Sequence, residues 1–245
     1  MSVVQKARQF TVKNSATVVA TENVGDDLVH VTATVSQPDL SWQPGQAVAL
    51  VVDPDGKSMK DRWRHYTVRA FDPEEGRIEF LMARHDESTP GGRFLASLQP
   101  EYSFTFMGPG GNPILRTDAP HYVFLGDRTS LASISAMLDG LTAAGVTAKG
   151  DGPGIDVVVA TPDPDRAVLP TAEQHDVTWV KATDAAEIRQ ALLDSLPDEL
   201  PDGTQAYVTG EMETMRAVRK ALTERGVSRR SVGCHAHWTP GRRGM

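Results

Sequence analysis

His121-Tyr122-Val123-Phe124-Leu125-Gly126-Asp127-Arg128-Thr129-Ser130-Leu131 decides how the second half of this chain folds. His121 to Leu125 reads as a strand. Leu131, Ile134, Leu138 and Leu141 then fall at helical spacing. The turn between them offers Asp127 or Thr129 as a helix cap, and the free N–H groups of a helix start favour an anionic group. The turn is neither a Gly-x-Gly-x-x-Gly fingerprint nor a loop ending in Gly-Lys-Ser/Thr. Taken alone, it is also what an ordinary capped turn looks like.

The same grammar continues to the C-terminus. Asp156 to Ala160 and Val177 to Val180 read as strands, and Ile188, Leu192, Leu193 and Leu196 suit a helix. Ala206 to Thr209 is a further strand, followed by Met215, Val218 and Leu222 at helical spacing. Alternating strands and helices imply a parallel sheet with helices on both faces and ligands beyond the carboxyl ends of its strands. At one such end, Thr209-Gly210-Glu211-Met212, Gly210 would admit a ligand close to the backbone, and Glu211 would offset the dipole of the next helix.

The first half reads differently. Val29, Val31, Ala33 and Val35 alternate with polar residues, as do Ile78, Phe80 and Met82, and Tyr102, Phe104 and Phe106. Ala47 to Val52 is a compact apolar run. Period-two patterning between turns at Pro44-Gly45, Asp55-Gly56 and Glu75-Gly76 predicts an antiparallel sheet or small barrel over residues 10 to about 107. Gly92 to Leu98 is the one short helix expected there. Gly108 to Pro113 is too rich in Gly and Pro for regular structure. The boundary is placed near Arg116, giving domains of 1–115 and 116–245.

Composition narrows the function. Of 245 residues, 32 are acidic and 25 basic, for a formal charge of −7, which argues against nucleic acid as a principal partner. The single cysteine, Cys234, rules out an internal disulfide or a multi-cysteine iron–sulfur site within one chain. With no signal-peptide pattern and no apolar run near the roughly 20 residues of a spanning helix, a soluble, cytoplasmic protein is expected. His235 and His237 would point the same way on a strand, but a stable metal site needs more ligands, and no metal is assigned.

Arg64-His65-Tyr66-Thr67-Val68-Arg69 places a cation, an aromatic ring and a small hydroxyl on one short strand. A guanidinium can fork onto a diphosphate, a phenol can lie along a flavin, and a threonine hydroxyl or N–H can reach the reactive flavin nitrogen. In His85-Asp86-Glu87-Ser88-Thr89-Pro90-Gly91-Gly92-Arg93, successive N–H groups at Gly91, Gly92 and Arg93 could hold a pyrophosphate at the start of the short helix. In Thr161 to Arg166, Asp163 and Asp165 would repel a 2′-phosphate and favour NADH, while Arg166 pulls toward NADPH, so both nucleotides stay open.

In order and spacing, these pieces resemble the siderophore-interacting protein family, flavin-dependent ferric-siderophore reductases of the ferredoxin–NADP reductase superfamily. Arg64-x-Tyr66-Thr67-x-Arg69 is similar to its flavin motif, and His85 with the following Gly/Pro loop to its second flavin segment. Gly126-Asp127-x-Thr129 resembles its nucleotide turn, and Gly210-Glu211 with Met215 to Arg219 its last nucleotide motif. Trp238 with Gly241 echoes its aromatic-glycine C-terminus. The chain departs from the pattern at Pro90-Gly91, at Arg128 and in His235-Ala236-His237-Trp238.

The resemblance implies a flavin-binding antiparallel β-barrel followed by an α/β nucleotide domain, ferredoxin-reductase-like, with FAD held between them. NADH or NADPH would dock at Gly126–Thr129 and Gly210–Glu211, and electrons would pass through FAD to a ferric siderophore. It implies Arg64 on the pyrophosphate, Tyr66 against the flavin, Thr67 at its reactive edge with Val68 beside it, and Gly91, Gly92 and Arg93 on phosphate. His85, Asp127, Thr129, Gly210 and Glu211 join the cofactor contacts, and Trp238 would cover the flavin ring. Arg242 and Arg243 would attract an anionic chelate. The chain is expected as a monomer or dimer. Two alternatives stay open: a flavin reductase serving a protein acceptor, and an FAD- or siderophore-binding protein without turnover.

Overall fold

The computed structural model describes residues 13–25, 27–37, 39–111, 114–147, 152–172 and 174–241. These form two compact units, the first ending at Gly111 and the second at Gly241.

The first unit is a closed antiparallel barrel. Its strands are β1 (Lys13–Val24), β2 (Leu28–Val35), β3 (Ala47–Val51), β4 (Trp63–Asp72), β5 (Arg77–Ala83) and β6 (Ser103–Gly110). Around the barrel they run β1-β2-β5-β4-β3-β6. Alternation fills the interior: Val31, Ala33, Val48, Leu50, Val68, Phe80 and Phe106 are buried together. Helix α2 (Pro90–Ser97) adds Phe94 and Leu95 to that core. The Phe94 and Phe104 rings meet edge-on with centroids 6.0 Å apart.

Two local expectations fail here. A one-turn helix, α1 (Met59–Arg62), precedes β4. Its start is a capping box, in which Ser58 Oγ accepts from Asp61 N–H and the Asp61 carboxylate accepts from Ser58 N–H. Strand β6 also runs on through Gly108-Pro109-Gly110, which the Gly/Pro content had excluded from regular structure. Gly108 takes a φ of +105°, where a Cβ would stand 3.2 Å from Ala47 O. Asn14 Nδ2 donates to Gly108 O at 3.1 Å, and Gly110 lies in register with Ala47. Glycine thus lets the strand carry a proline past its partner as a bulge.

The second unit is a five-stranded parallel sheet in the order β11-β10-β7-β8-β9. In chain order it comprises β7 (His121–Asp127), α3 (Leu131–Ala143), β8 (Gly154–Thr161), β9 (Thr178–Lys181), α4 (Ala185–Asp194), β10 (Gln205–Glu211), α5 (Met212–Glu224) and β11 (Val232–Trp238). Ile188 and Leu192 of α4 and Val218 and Leu222 of α5 pack with Val123, Leu125, Ala206 and Val208 on one face. On the other face the Phe124 and Tyr207 rings stack with centroids 5.3 Å apart, and α3 buries Ile134, Leu138 and Leu141 outside the first cluster. The chain builds outward from β7 to β9, then returns to the far side of β7 for β10. The switch point, where such sheets open a ligand crevice, therefore lies between β7 and β10. Among the described residues no helix is long and apolar enough to cross a membrane.

Removing a ring from the centre of the barrel tests this packing. Phe106→Ala should cost about 3–5 kcal/mol, read as a lower urea midpoint for loss of the first unit's structure.

Candidate functional site

In the first unit the site begins where β4 changes neighbours. Trp63 to Thr67 pair with β3, and the β4–β5 register begins only at Val68↔Phe80. Val52 N–H donates to Arg62 O and Val68 N–H to Gln46 O, so the even-numbered residues of β4 bond to β3. The Thr67 N–H consequently faces away from β3. Arg64 and Tyr66 share the strand face of buried Val68, and Thr67 lies on the opposite face, paired with Ala47.

Helix α2 closes on that face. A Cβ on Gly91 would stand 3.6 Å from the Tyr66 hydroxyl and 3.9 Å from Arg64 Nε. Arg64 Nη1 donates to Lys60 O and, at 2.8 Å, to Trp63 O, bonds that hold the guanidinium in place without using Nε or Nη2. Burial pushes the Tyr66 phenol up to about 12 against the opposing pull of Arg64, so the ring stays neutral. Cation, phenol and helix start therefore meet at one point.

The expected row of three N–H donors is reduced. Thr89 caps α2: its Oγ1 accepts from Gly92 N–H at 3.1 Å and its carbonyl from Arg93 N–H at 3.0 Å. Only the Gly91 N–H is not engaged by that cap. Gly92 is glycine for packing, since a Cβ there would stand 2.2 Å from Asp86 O. The Arg93 side chain turns to Ser88 O at 2.8 Å and to Asp53 at 3.9 Å, and His85 is exposed in the loop before α2. Val68, expected among the cofactor contacts, is fully buried in the barrel core.

In the second unit one carboxylate organises the switch point. Asp127 is 2% exposed. Its Oδ1 accepts from Thr129 N–H at 2.8 Å and Thr129 Oγ1 at 2.5 Å. Its Oδ2 accepts from Glu211 N–H at 3.0 Å and Trp238 Nε1 at 2.8 Å. Burial pushes this carboxyl above the ordinary aspartate range, and the four donors pull it back. Asp127, expected to meet the nucleotide, binds the ends of β7, β10 and β11 together.

Gly210 and Glu211 change meaning for the same reason. Gly210 has φ +118°, and a Cβ there would stand 2.4 Å from Asp127 Oδ2, so the group approaching this backbone closely is the Asp127 carboxylate. Glu211 is the N-cap of α5, accepting from Glu213 N–H at 3.0 Å and Thr214 N–H at 2.7 Å. Trp238 packs on the core of the second unit through its indole. Arg242 and Arg243 lie outside the described residues.

Ser130, Thr209 and His237 were given no cofactor contact from the sequence, where His237 was weighed only for metal. Ser130 lies over Gly126, where a Cβ would stand 2.4 Å from its Oγ. His237 Nδ1 lies 3.0 Å from Thr129 O. The departure at His235 to Trp238 was visible, but nothing in the sequence placed His237 beside Thr129, which is 108 residues away.

A barrel followed by a parallel nucleotide-type sheet defines the ferredoxin-reductase-like fold. A ferredoxin reductase in carbazole 1,9a-dioxygenase superposes with a TM-score of 0.73 over 92% of this chain and 68% of that one, at 19% identity. The siderophore-interacting protein SipS from Aeromonas hydrophila superposes with a TM-score of 0.74 over 94% of this chain and 92% of that one, at 24% identity. Family models narrow the class: the siderophore-interacting FAD-binding domain matches residues 10–113, and the siderophore-interacting protein model matches 119–241. The chain belongs to the siderophore-interacting protein family. The ferric vibriobactin reductase ViuB of Vibrio cholerae is 27% identical over 213 residues, covering 81% of this chain and 75% of that protein.

The two adjacent glycines of α2 should behave oppositely. Gly91→Ala places its methyl in ordinary contact, so stability should hold or rise by about 0.5–1 kcal/mol, as for a helical Gly→Ala change. FAD binding by that variant should nonetheless weaken, because the methyl occupies the meeting point of Arg64 and Tyr66. Gly92→Ala should lower the melting temperature of the apoprotein through its clash with Asp86.

Proposed function

We propose that this chain is an FAD-dependent ferric-siderophore reductase that carries electrons from NADH or NADPH through FAD to chelated Fe(III). The observation that carries this reading is the convergence of Arg64, Tyr66 and Gly91, within a segment that matches the family's FAD-binding domain model.

The residues present suit the cofactor. A flavin dinucleotide brings a dianionic diphosphate and a flat ring. Arg64 Nε and Nη2 and the Gly91 N–H are donors for the diphosphate. Neutral Tyr66 offers an aromatic face, and Thr67 offers an N–H turned away from β3. Bound there, FAD supplies the conversion of a two-electron hydride into single electrons. Arg64 anchors charge, Tyr66 orients the ring, and Thr67 supplies a donor to its edge. In the second unit, the β7–β10 switch point receives the nicotinamide nucleotide, and the Asp127 bonds keep its two turns in fixed register.

Reduction explains release. Siderophores grip iron through hard oxygen ligands that suit Fe(III), and Fe(II) is held less well by such donors. A reductase serving a protein acceptor is the second reading, favoured by the fold likeness to the dioxygenase reductase.

Arg64→Ala should weaken FAD binding about tenfold to a hundredfold, the equivalent of a charged hydrogen bond. Arg64→Ala with Tyr66→Ala should purify colourless. Wild-type protein given NADH or NADPH and a ferric chelate should produce Fe(II) that a ferrous trap captures. A double variant that stays fully yellow contradicts the flavin assignment. Wild type that oxidises nucleotide yet yields Fe(II) from no chelate contradicts the acceptor assignment.

A further inference from the structure

Three buried polar atoms without a hydrogen-bond partner among the described residues belong to neighbouring strand ends of the parallel sheet: Ser130 Oγ, Thr209 Oγ1 and His237 Nε2. Ser130 is 0% and Thr209 5% exposed. They stand at the carboxyl ends of β7, β10 and β11, which are neighbours in the sheet. Thr209 is in register with His235, and past the β11 bulge the His237 ring stays beside that of His235, with centroids 5.4 Å apart. A Cβ on Gly126 would touch both Ser130 Oγ, at 2.4 Å, and Thr209 O, at 3.1 Å. This corner of the sheet borders the switch point between β7 and β10.

The chemistry of the corner is specified by His237. Its Nδ1 lies 3.0 Å from Thr129 O, and a carbonyl can only accept, so Nδ1 carries the proton and Nε2 is a bare acceptor. Burial, with His235 beside it, pushes the imidazole down to about 3 despite the Thr129 carbonyl, so the ring is neutral at working pH. A bare acceptor flanked by two hydroxyls calls for a group that donates on one side and accepts on the other. A primary carboxamide does both in one plane: its N–H donates and its oxygen accepts.

We propose that His237 Nε2 accepts a hydrogen bond from the carboxamide N–H of the nicotinamide ring, with the Thr209 and Ser130 hydroxyls supplying donors to the carboxamide oxygen. This rests on the reading of the switch point as the nicotinamide-nucleotide site and assigns the residue that selects the pyridine substituent. A buried acceptor left unpaired by the wrong ligand is the physical source of the selectivity.

The test compares NAD+ with 3-acetylpyridine adenine dinucleotide, in which a methyl ketone replaces the carboxamide and the N–H donors are lost. Affinities are measured on the FAD-loaded protein by isothermal titration, with the 2′-phosphorylated pair in parallel. Wild type should prefer the carboxamide about tenfold, the worth of one hydrogen bond. His237→Asn retains a donor for Thr129 O but lacks an acceptor at the reach of Nε2, and its preference should fall to about one. His237→Gln restores an acceptor at that reach and should recover part of the preference. Equal weakening of both dinucleotides in His237→Asn, or a wild type without preference, overturns the assignment alone. A wild type that binds neither pair removes the nucleotide reading along with it.

Discussion

Strand β4 exchanges one neighbour for another between Thr67 and Val68, and the flavin-side arrangement follows from that step. Before it, the strand is paired with β3, and the face carrying Arg64 and Tyr66 meets helix α2. After it, Val68 enters the barrel core. Helix α2 can close over the step because its apolar residues, Phe94 and Leu95, anchor it in the same core. Gly92 lets the first turn of the helix approach the preceding loop. A packing interaction thus sets the position of the charged and aromatic groups. The rigid element, rather than the loop before it, carries the precision the site requires.

The second unit solves a similar problem with electrostatics. Three strands end side by side, and their turns keep a fixed spacing. The Asp127 carboxylate ties them by bonding within its own turn, to the backbone of the β10–α5 turn and to the Trp238 indole. Burying a carboxylate is costly, and it persists here because every bond it makes is to a donor. The requirement propagates to Gly210, whose missing side chain is the space the carboxylate occupies.

Much of this was legible in the amino-acid sequence because period and turn chemistry are local. The two halves, the strand–turn–helix units and the α2 segment all announced themselves by spacing. The capping box at Ser58 was equally local and was passed over, since four residues are too few for a helical period. Strand β6 was cut short because proline and glycine signal breaks, whereas Gly108 uses its freedom of φ to keep the strand running. The site residues were harder. Asp127, Gly210 and Glu211 stood out as a nucleotide pattern, while the Asp127 and Glu211 carboxylates also bond to the protein's own scaffold and Gly210 makes room for one of them, features that depend on partners 84 and 111 residues distant. His237 stood out only as half of a histidine pair and as a departure from the family pattern, because its contact with Thr129 lies across the sheet.

In the proposed electron path, a flavin held by the Arg64–Tyr66–Gly91 cluster takes electrons from a nicotinamide nucleotide and yields them to ferric iron. The most direct measurement is the visible spectrum of the purified protein under anaerobic conditions, recorded through successive additions of NADH or NADPH and then a ferric siderophore. Such a path gives oxidised-flavin bands that bleach with the nucleotide and return with the ferric chelate. A protein that shows no flavin bands, even after incubation with FAD, would contradict it.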